Sequence, residues 1–106
     1  MAQFDVCRNT GTTRGRSPFL LILQSTLFKG FDRRVVIPMT LRSVLPRDID
    51  SKLCPPFVVE GQVVLLMPLE ITNIPAERLG PVVMSLRDEA ETVIAAVDWM
   101  MNRGWD

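Results

Sequence analysis

The sequence contains no histidine, which removes the commonest general base and the commonest metal ligand together. Without it, Cys7 or Cys54 as a nucleophile needs Lys, Asp or Glu as its activating base, and no spacing along the chain points to such a pair. Net charge is lacking as well. Twelve basic and twelve acidic residues cancel, which argues against nonspecific attraction to a nucleic-acid backbone, because that needs clustered, uncompensated Lys and Arg. No apolar run approaches the ~20 residues that span a bilayer, and the N-terminus lacks the basic, apolar and small-residue order of a secretion signal. These absences predict a cytoplasmic protein that enters no membrane, holds no cofactor or metal and is not an enzyme. In that compartment Cys7 and Cys54 are expected as reduced thiols in half-buried strand ends.

Glycine is too sparse at Gly11 and Gly15 for a phosphate-cradling loop, and no strand runs into a helix behind them. The carboxylates Asp88, Glu89 and Glu91 sit in what reads as the first turn of a helix, where the helix dipole accounts for them without catalysis. One enzymatic arrangement stays open: an RNA-cleaving site that works by charge alone, built from loop arginines such as Arg14 and Arg16.

What is present is an ordinary globular composition. The chain of 106 residues is 47% hydrophobic but has only five Phe and two Trp, so a single domain over 1–106 must build its core from Val, Leu, Ile and Met. A domain this size buries about two-thirds of the surface its unfolded chain exposes, and its stability is expected to lean on a partner. Basic residues gather in the first half (Arg8, Arg14, Arg16, Lys29, Arg33, Arg34, Arg42, Arg47 and Lys52) and acidic ones in the tail from Glu70, a distribution read as a solvated surface, with an acidic partner for the basic half as the alternative.

Gln3 to Cys7 alternates Phe4 and Val6 against Gln3 and Asp5, the period of a half-buried strand. Arg8 to Ser17 has no apolar member and reads as an exposed loop. Phe19 to Gln24 is nearly all apolar, as a central strand covered on both faces should be. Val35 to Leu41 is a further β-rich run, in which Pro38 predicts an edge, a bulge or a bend. Ser43 to Pro56 reads as a connection with at most one helical turn. Phe57 to Val59 and Val63 to Met67 flank Glu60-Gly61-Gln62, the clearest hairpin, and Ile71 to Ile74 adds a short strand. From Leu86 the period changes: Ala90, Val93, Val97, Met100 and Met101 recur at three or four positions, with Ser85 as N-cap and Asp88 as its capping-box partner. The prediction is mostly β with one C-terminal helix: about five short antiparallel strands in a small curled sheet or barrel, closed by a helix of about 17 residues. Trp99, Met100, Met101 and Trp105 then place two indoles and two thioethers within seven residues, a composition favoured at interfaces. Met100 and Trp99 also fit the core-facing stripe, whereas Trp105 reads as exposed or partner-contacting.

Read in order, Gln3-Phe4, Leu23-Gln24-Ser25, Arg34-Val35-Val36-Ile37-Pro38-Met39, Leu53-Cys54-Pro55, Ile74-Pro75 and Ala95-Ala96-Val97-Asp98 give the chain a colinear resemblance to the CcdB family of toxins over essentially its whole length. The most specific string is Arg-x-Val-Ile-Pro, here Arg34 to Pro38. The resemblance implies an SH3-like barrel with a C-terminal helix, a tight homodimer, and a toxin that binds the A subunit of DNA gyrase and traps it on cleaved DNA. It implies also a cognate antitoxin that folds onto the toxin and releases gyrase, with operator DNA reached only indirectly through that complex. The family's gyrase contacts fall here on Leu27 and Phe28, after the Gln-Ser pair, and on Asp98, Met101 and Asn102 at the end of the helix. Without a gap, Asn102, Arg103 and Gly104 replace the family's terminal Trp, Gly and Ile; a short insertion instead aligns Gly104 and Trp105 with Gly and Ile. Two alternatives stay beside this reading: an antitoxin-binding or regulatory relative without gyrase activity, and an RNA-cleaving toxin on the related barrel.

Overall fold

A computed structural model describes residues 1–102 of the chain. It is mostly β, with seven short strands: β1 (Asp5–Arg8), β2 (Phe19–Ile22), β3 (Arg33–Leu41), β4 (Pro56–Val59), β5 (Gln62–Leu66), β6 (Thr72–Pro75) and β7 (Val82–Ser85). One α-helix, α1 (Ala90–Asn102), follows them. Every strand pair is antiparallel, and the order is β4-β5-β3-β2-β1-β7 with β6 beside β3. The sheet curls into a half-barrel with α1 at its C-terminal end, the architecture expected from the sequence with two strands more than the expected number.

β3 organises the sheet because it is long enough to have two partners on one side. Its first half pairs β6 from Arg33 opposite Pro75 to Val36 opposite Thr72, and its end pairs β5 from Met39 opposite Leu66 to Leu41 opposite Val64. Pro38 stands at the junction between them. Neither the edge nor the bulge predicted there is found: β3 is central, and its register with β2 runs through Pro38 opposite Leu20 without a shift. Proline is tolerated because its missing N–H falls where no partner strand is asking for it, while its carbonyl accepts from the Met67 amide at 3.0 Å.

Alternation along the strands sorts the apolar residues into two cores. Phe19 and Leu21 of β2 join Val6, Ile37, Met39, Val64 and Leu66 on one face, and α1 covers that face with Val93 and Ala96. Leu20 and Ile22 join Cys7 and Val36 on the other, under Ile74 and Leu79. All four residues of β2 are therefore buried, each contributing roughly 1.5–3 kcal/mol relative to leaving it in water. A third cluster, Cys54, Leu65 and Met67, lies under Leu45, Ile49 and Leu53 of the long connection. One 3-10 turn, Arg42–Val44, opens the connection, in keeping with the expectation of at most one helical turn.

The expected hairpin is present, with Val59 opposite Gln62 and a two-residue loop. Glu60 at φ 50° and Gly61 at φ 76° are both left-handed, the type I′ geometry that matches the twist of the flanking strands. Arg8 and Glu60 form an ion pair at 2.6 Å that ties the hairpin tip to β1. Among buried polar groups, Ser17 and Thr40 satisfy each other at 2.8 Å.

Four sequence expectations are corrected. The first strand begins at Asp5 rather than Gln3, because Phe4 sits at φ 71° and breaks the extended run. Strand β7 was not expected; it pairs with β1, Asp5 lying opposite Ser85. Ser85 is consequently a strand residue, not the helix N-cap, and its hydroxyl accepts from the Arg87 amide at 3.1 Å. The α-helix starts at Ala90 rather than near Leu86, because Arg87–Glu89, with Asp88, forms a 3-10 turn ahead of it. No helix among the described residues is long and apolar enough to cross a membrane.

Candidate functional site

Between β2 and β3 the chain leaves the sheet with apolar side chains that no core receives. The Ser25 hydroxyl accepts from the Leu27 amide at 3.2 Å and starts a single 3-10 turn, Thr26–Phe28. A short capped turn holds its side chains above the surface rather than under it. Leu27 is 88% exposed, Phe28 52% and Phe31 66%. The rings of Phe28 and Phe31 lie 6.4 Å apart, tilted at 54°, a geometry in which aromatic edges and faces attract.

Polar side chains fix the loop from beneath. Gln24 donates to the Phe28 carbonyl at 2.9 Å and accepts from the Val35 amide at 3.1 Å. The Arg34 guanidinium donates to the carbonyls of Lys29 (2.8 Å), Arg33 (3.0 Å) and Phe31. Arg33 reaches across to β6, donating to the Asn73 side chain and to the Asn73 carbonyl at 3.2 Å. A depression of about 400 Å³ lies between Phe28 and Phe31, lined also by Gln24, Arg33, Val35 and Asn73. Lys29, Arg33 and Arg34 outnumber the one acidic residue of the loop, Asp32, and no ion pair neutralises them among the described residues.

The end of α1 forms the other expected part of the site. Val93 and Ala96 face the core, while Ile94, Asp98, Met101 and Asn102 face outward. Ile94 is 48% exposed and Met101 64%. The Asn102 amide donates to the Asp98 carboxylate one turn earlier. Trp99 and Met100 are half-buried, and the Lys52 ammonium stands 5.3 Å from the Trp99 ring centroid, a cation–π contact that pins the helix to the long connection. Gly104 and Trp105, the remaining expected contacts, lie outside the described residues.

Leu27 and Phe28 are thus brought together on one loop, and Asp98, Met101 and Asn102 on one helix end. No hydrogen bond or ring contact links the two sets among the described residues. Phe31 was not among the residues expected at the site. Its signal in the sequence was an isolated phenylalanine between Gly30 and Asp32, outside any periodic segment.

The other candidates have different surroundings. A second cavity of about 490 Å³ on the face away from α1 has a floor of Leu20, Val36, Pro38 and Ile74 and a rim of the 9–13 loop and Arg78; none of the expected site residues lines it. Arg14 and Arg16 are exposed, and Arg14 donates back to the Gly11 carbonyl at 3.1 Å. Both cysteines are free. They are fully buried rather than half-buried, Cys7 within β1 and Cys54 before β4. Burial pushes the Cys7 thiol above its ordinary value, with Asp5 adding to the effect, and does the same to Cys54 with help from Asp50 and Glu70. Neither is a thiolate nucleophile at neutral pH. Among the described residues no group of three His, Cys, Asp or Glu is placed to hold a metal ion.

Compared with known families, the chain matches the family model described as CcdB protein over residues 3–103. A comparison with curated proteins found no match.

Proposed function

The chain belongs to the CcdB family, and from that premise we propose that it is the toxin of a toxin–antitoxin pair, acting on the A subunit of DNA gyrase. It works in the cytoplasm as a homodimer, binds gyrase, and holds the enzyme on cleaved DNA until a cognate antitoxin removes it. Operator DNA is met only through the toxin–antitoxin complex. The action is binding, without chemistry of its own.

The observation that carries this reading is the family match itself, which spans residues 3–103 and so takes in both the Leu27–Phe28 loop and the described helix end. Physical support comes from the cost of leaving Leu27, Phe28 and Met101 in water. Apolar side chains grouped at such exposure gain further free energy when a partner covers them. Leu27 and Phe28 form the apolar centre of the contact. Asp98, Met101 and Asn102, followed by Gly104 and Trp105, form its second part.

A second reading, an antitoxin-binding relative that leaves gyrase alone, has one observation in its favour. Where the family has an indole, this chain has Asn102, and its amide is engaged by the exposed Asp98 carboxylate one turn earlier. The two readings part in a supercoiling and cleavage assay with purified gyrase. The toxin accumulates cleaved plasmid DNA, and addition of antitoxin reverses it; the regulatory relative binds antitoxin and leaves gyrase turnover unchanged. Cleavage of RNA with gyrase absent would contradict both.

A further inference from the structure

We propose that Phe31 completes the partner-contacting loop, that Arg34 is its positioning residue, and that the loop engages an apolar surface of the partner bordered by acidic side chains. This rests on the gyrase-binding reading above. Phe31 is more exposed than Phe28 and lies in ring contact with it, so the two phenylalanines form one apolar patch on the loop that also carries the exposed Leu27. The depression between the rings, floored by Val35, receives one apolar side chain of the partner. Tryptophan, tyrosine and arginine lead as interface anchors, and an exposed phenylalanine pair supplies the same rigid apolar area at small conformational cost.

Arg34 begins the Arg-x-Val-Ile-Pro string, and its role is in the geometry. Its guanidinium collects the carbonyls of Lys29, Phe31 and Arg33, three points on a five-residue stretch that includes Gly30. A planar fork with several fixed donors is suited to this; a lysine ammonium is a point charge on a flexible stem and does not reproduce it. The loop is thereby ordered before the partner arrives, and binding loses less entropy. Among the described residues neither Arg34 nor Arg33 has a carboxylate partner, so with Lys29 three positive charges stand against the single carboxylate of Asp32. That field selects a partner surface with acidic side chains around its apolar centre and speeds encounter with it at low salt.

The test measures binding of the full chain to purified gyrase A subunit for the parent, Phe31→Ser, Arg34→Lys and Lys29→Gln, at low and high salt, with thermal unfolding and amide exchange on each. Phe31→Ser is expected to raise Kd about tenfold or more with an unchanged unfolding midpoint. Arg34→Lys is expected to keep the charge and the fold, speed amide exchange across residues 27–31 and weaken binding. Lys29→Gln is expected to flatten the salt dependence. A parent-like Kd in Phe31→Ser overturns the contact, parent-like loop exchange in Arg34→Lys overturns the positioning role, and salt-independent binding by the parent overturns the acidic partner surface. Failure of the parent to bind gyrase at all overturns the functional reading on which the proposal stands, and the parent control separates that result from the others.

Discussion

Phe19–Ile22 and Leu27–Phe31 are separated by four residues and draw on the same apolar side chains, yet they have opposite fates. The first is paired on both sides, so alternation sends each side chain into one of two cores and all four are buried. The second has no ladder partner; a capped turn, Gln24 and the Arg34 guanidinium hold it clear of the sheet. Hydrophobicity alone thus says which residues avoid water. In this stretch, backbone pairing decides which of them the fold itself buries and which it leaves exposed.

The largest effect expected from that contrast uses one residue type at both sites. Leu21 is fully buried and Leu27 is 88% exposed. Leu21→Ala should cost about 2–5 kcal/mol of stability through lost burial and a residual cavity, while Leu27→Ala should stay within about 0.5 kcal/mol and lose gyrase binding instead. Chemical denaturation measures the first and a binding titration the second. Equal stability losses would erase the distinction.

Next in size is the buried polar pair. Ser17→Ala leaves the Thr40 hydroxyl without its partner and should cost about 1–3 kcal/mol, whereas replacing both as Ser17→Ala with Thr40→Val should recover much of that loss. A double-mutant cycle by denaturant unfolding checks it.

Two glycines sharpen the comparison further. Gly61→Ala places a side chain at φ 76° and should destabilise by about 1–2 kcal/mol. Gly30→Ala, in the exposed loop, meets open space and should leave the fold intact or stabilise it by about 0.4–1 kcal/mol through the unfolded chain.

The smallest expected effect is on pH dependence. The unfolded chain releases its thiol protons near the ordinary value of 9.0, while burial keeps Cys7 and Cys54 protonated above it. The unfolded state therefore binds fewer protons above that pH, and the thiols' contribution to stability, constant below it, should fall as pH rises past 9.0. Replacing both cysteines with Ala should remove that part of the alkaline loss, read from unfolding midpoints across the range.

Much of the fold was legible because it rests on local signals. The unbroken apolar run of β2, the Glu60-Gly61 turn and the change of period into α1 each name their element directly. The strand β7 was hidden because Val82–Ser85 is short and follows a Gly80-Pro81 turn; its identity comes from pairing with β1, which no local pattern records. The same pairing took Ser85 away from the helix. Pro38 misled in another way: proline argues against a central strand only if its N–H is needed there, and the junction between β5 and β6 removes the need. At the candidate site, Leu27 and Phe28 came from alignment with a family string. Phe31 was not among them, because only the three-dimensional ring contact with Phe28 joins it to that loop.

The central claim is that the exposed loop exists for gyrase and not for the fold. Its most direct test is a gyrase cleavage assay comparing the parent with the Leu27→Ser/Phe28→Ser double variant, after unfolding curves have established equal stability. The account predicts that the parent accumulates cleaved DNA and that the double variant, equally folded, does not. Undiminished cleavage by the double variant, or a folded parent that leaves gyrase untouched, would contradict it.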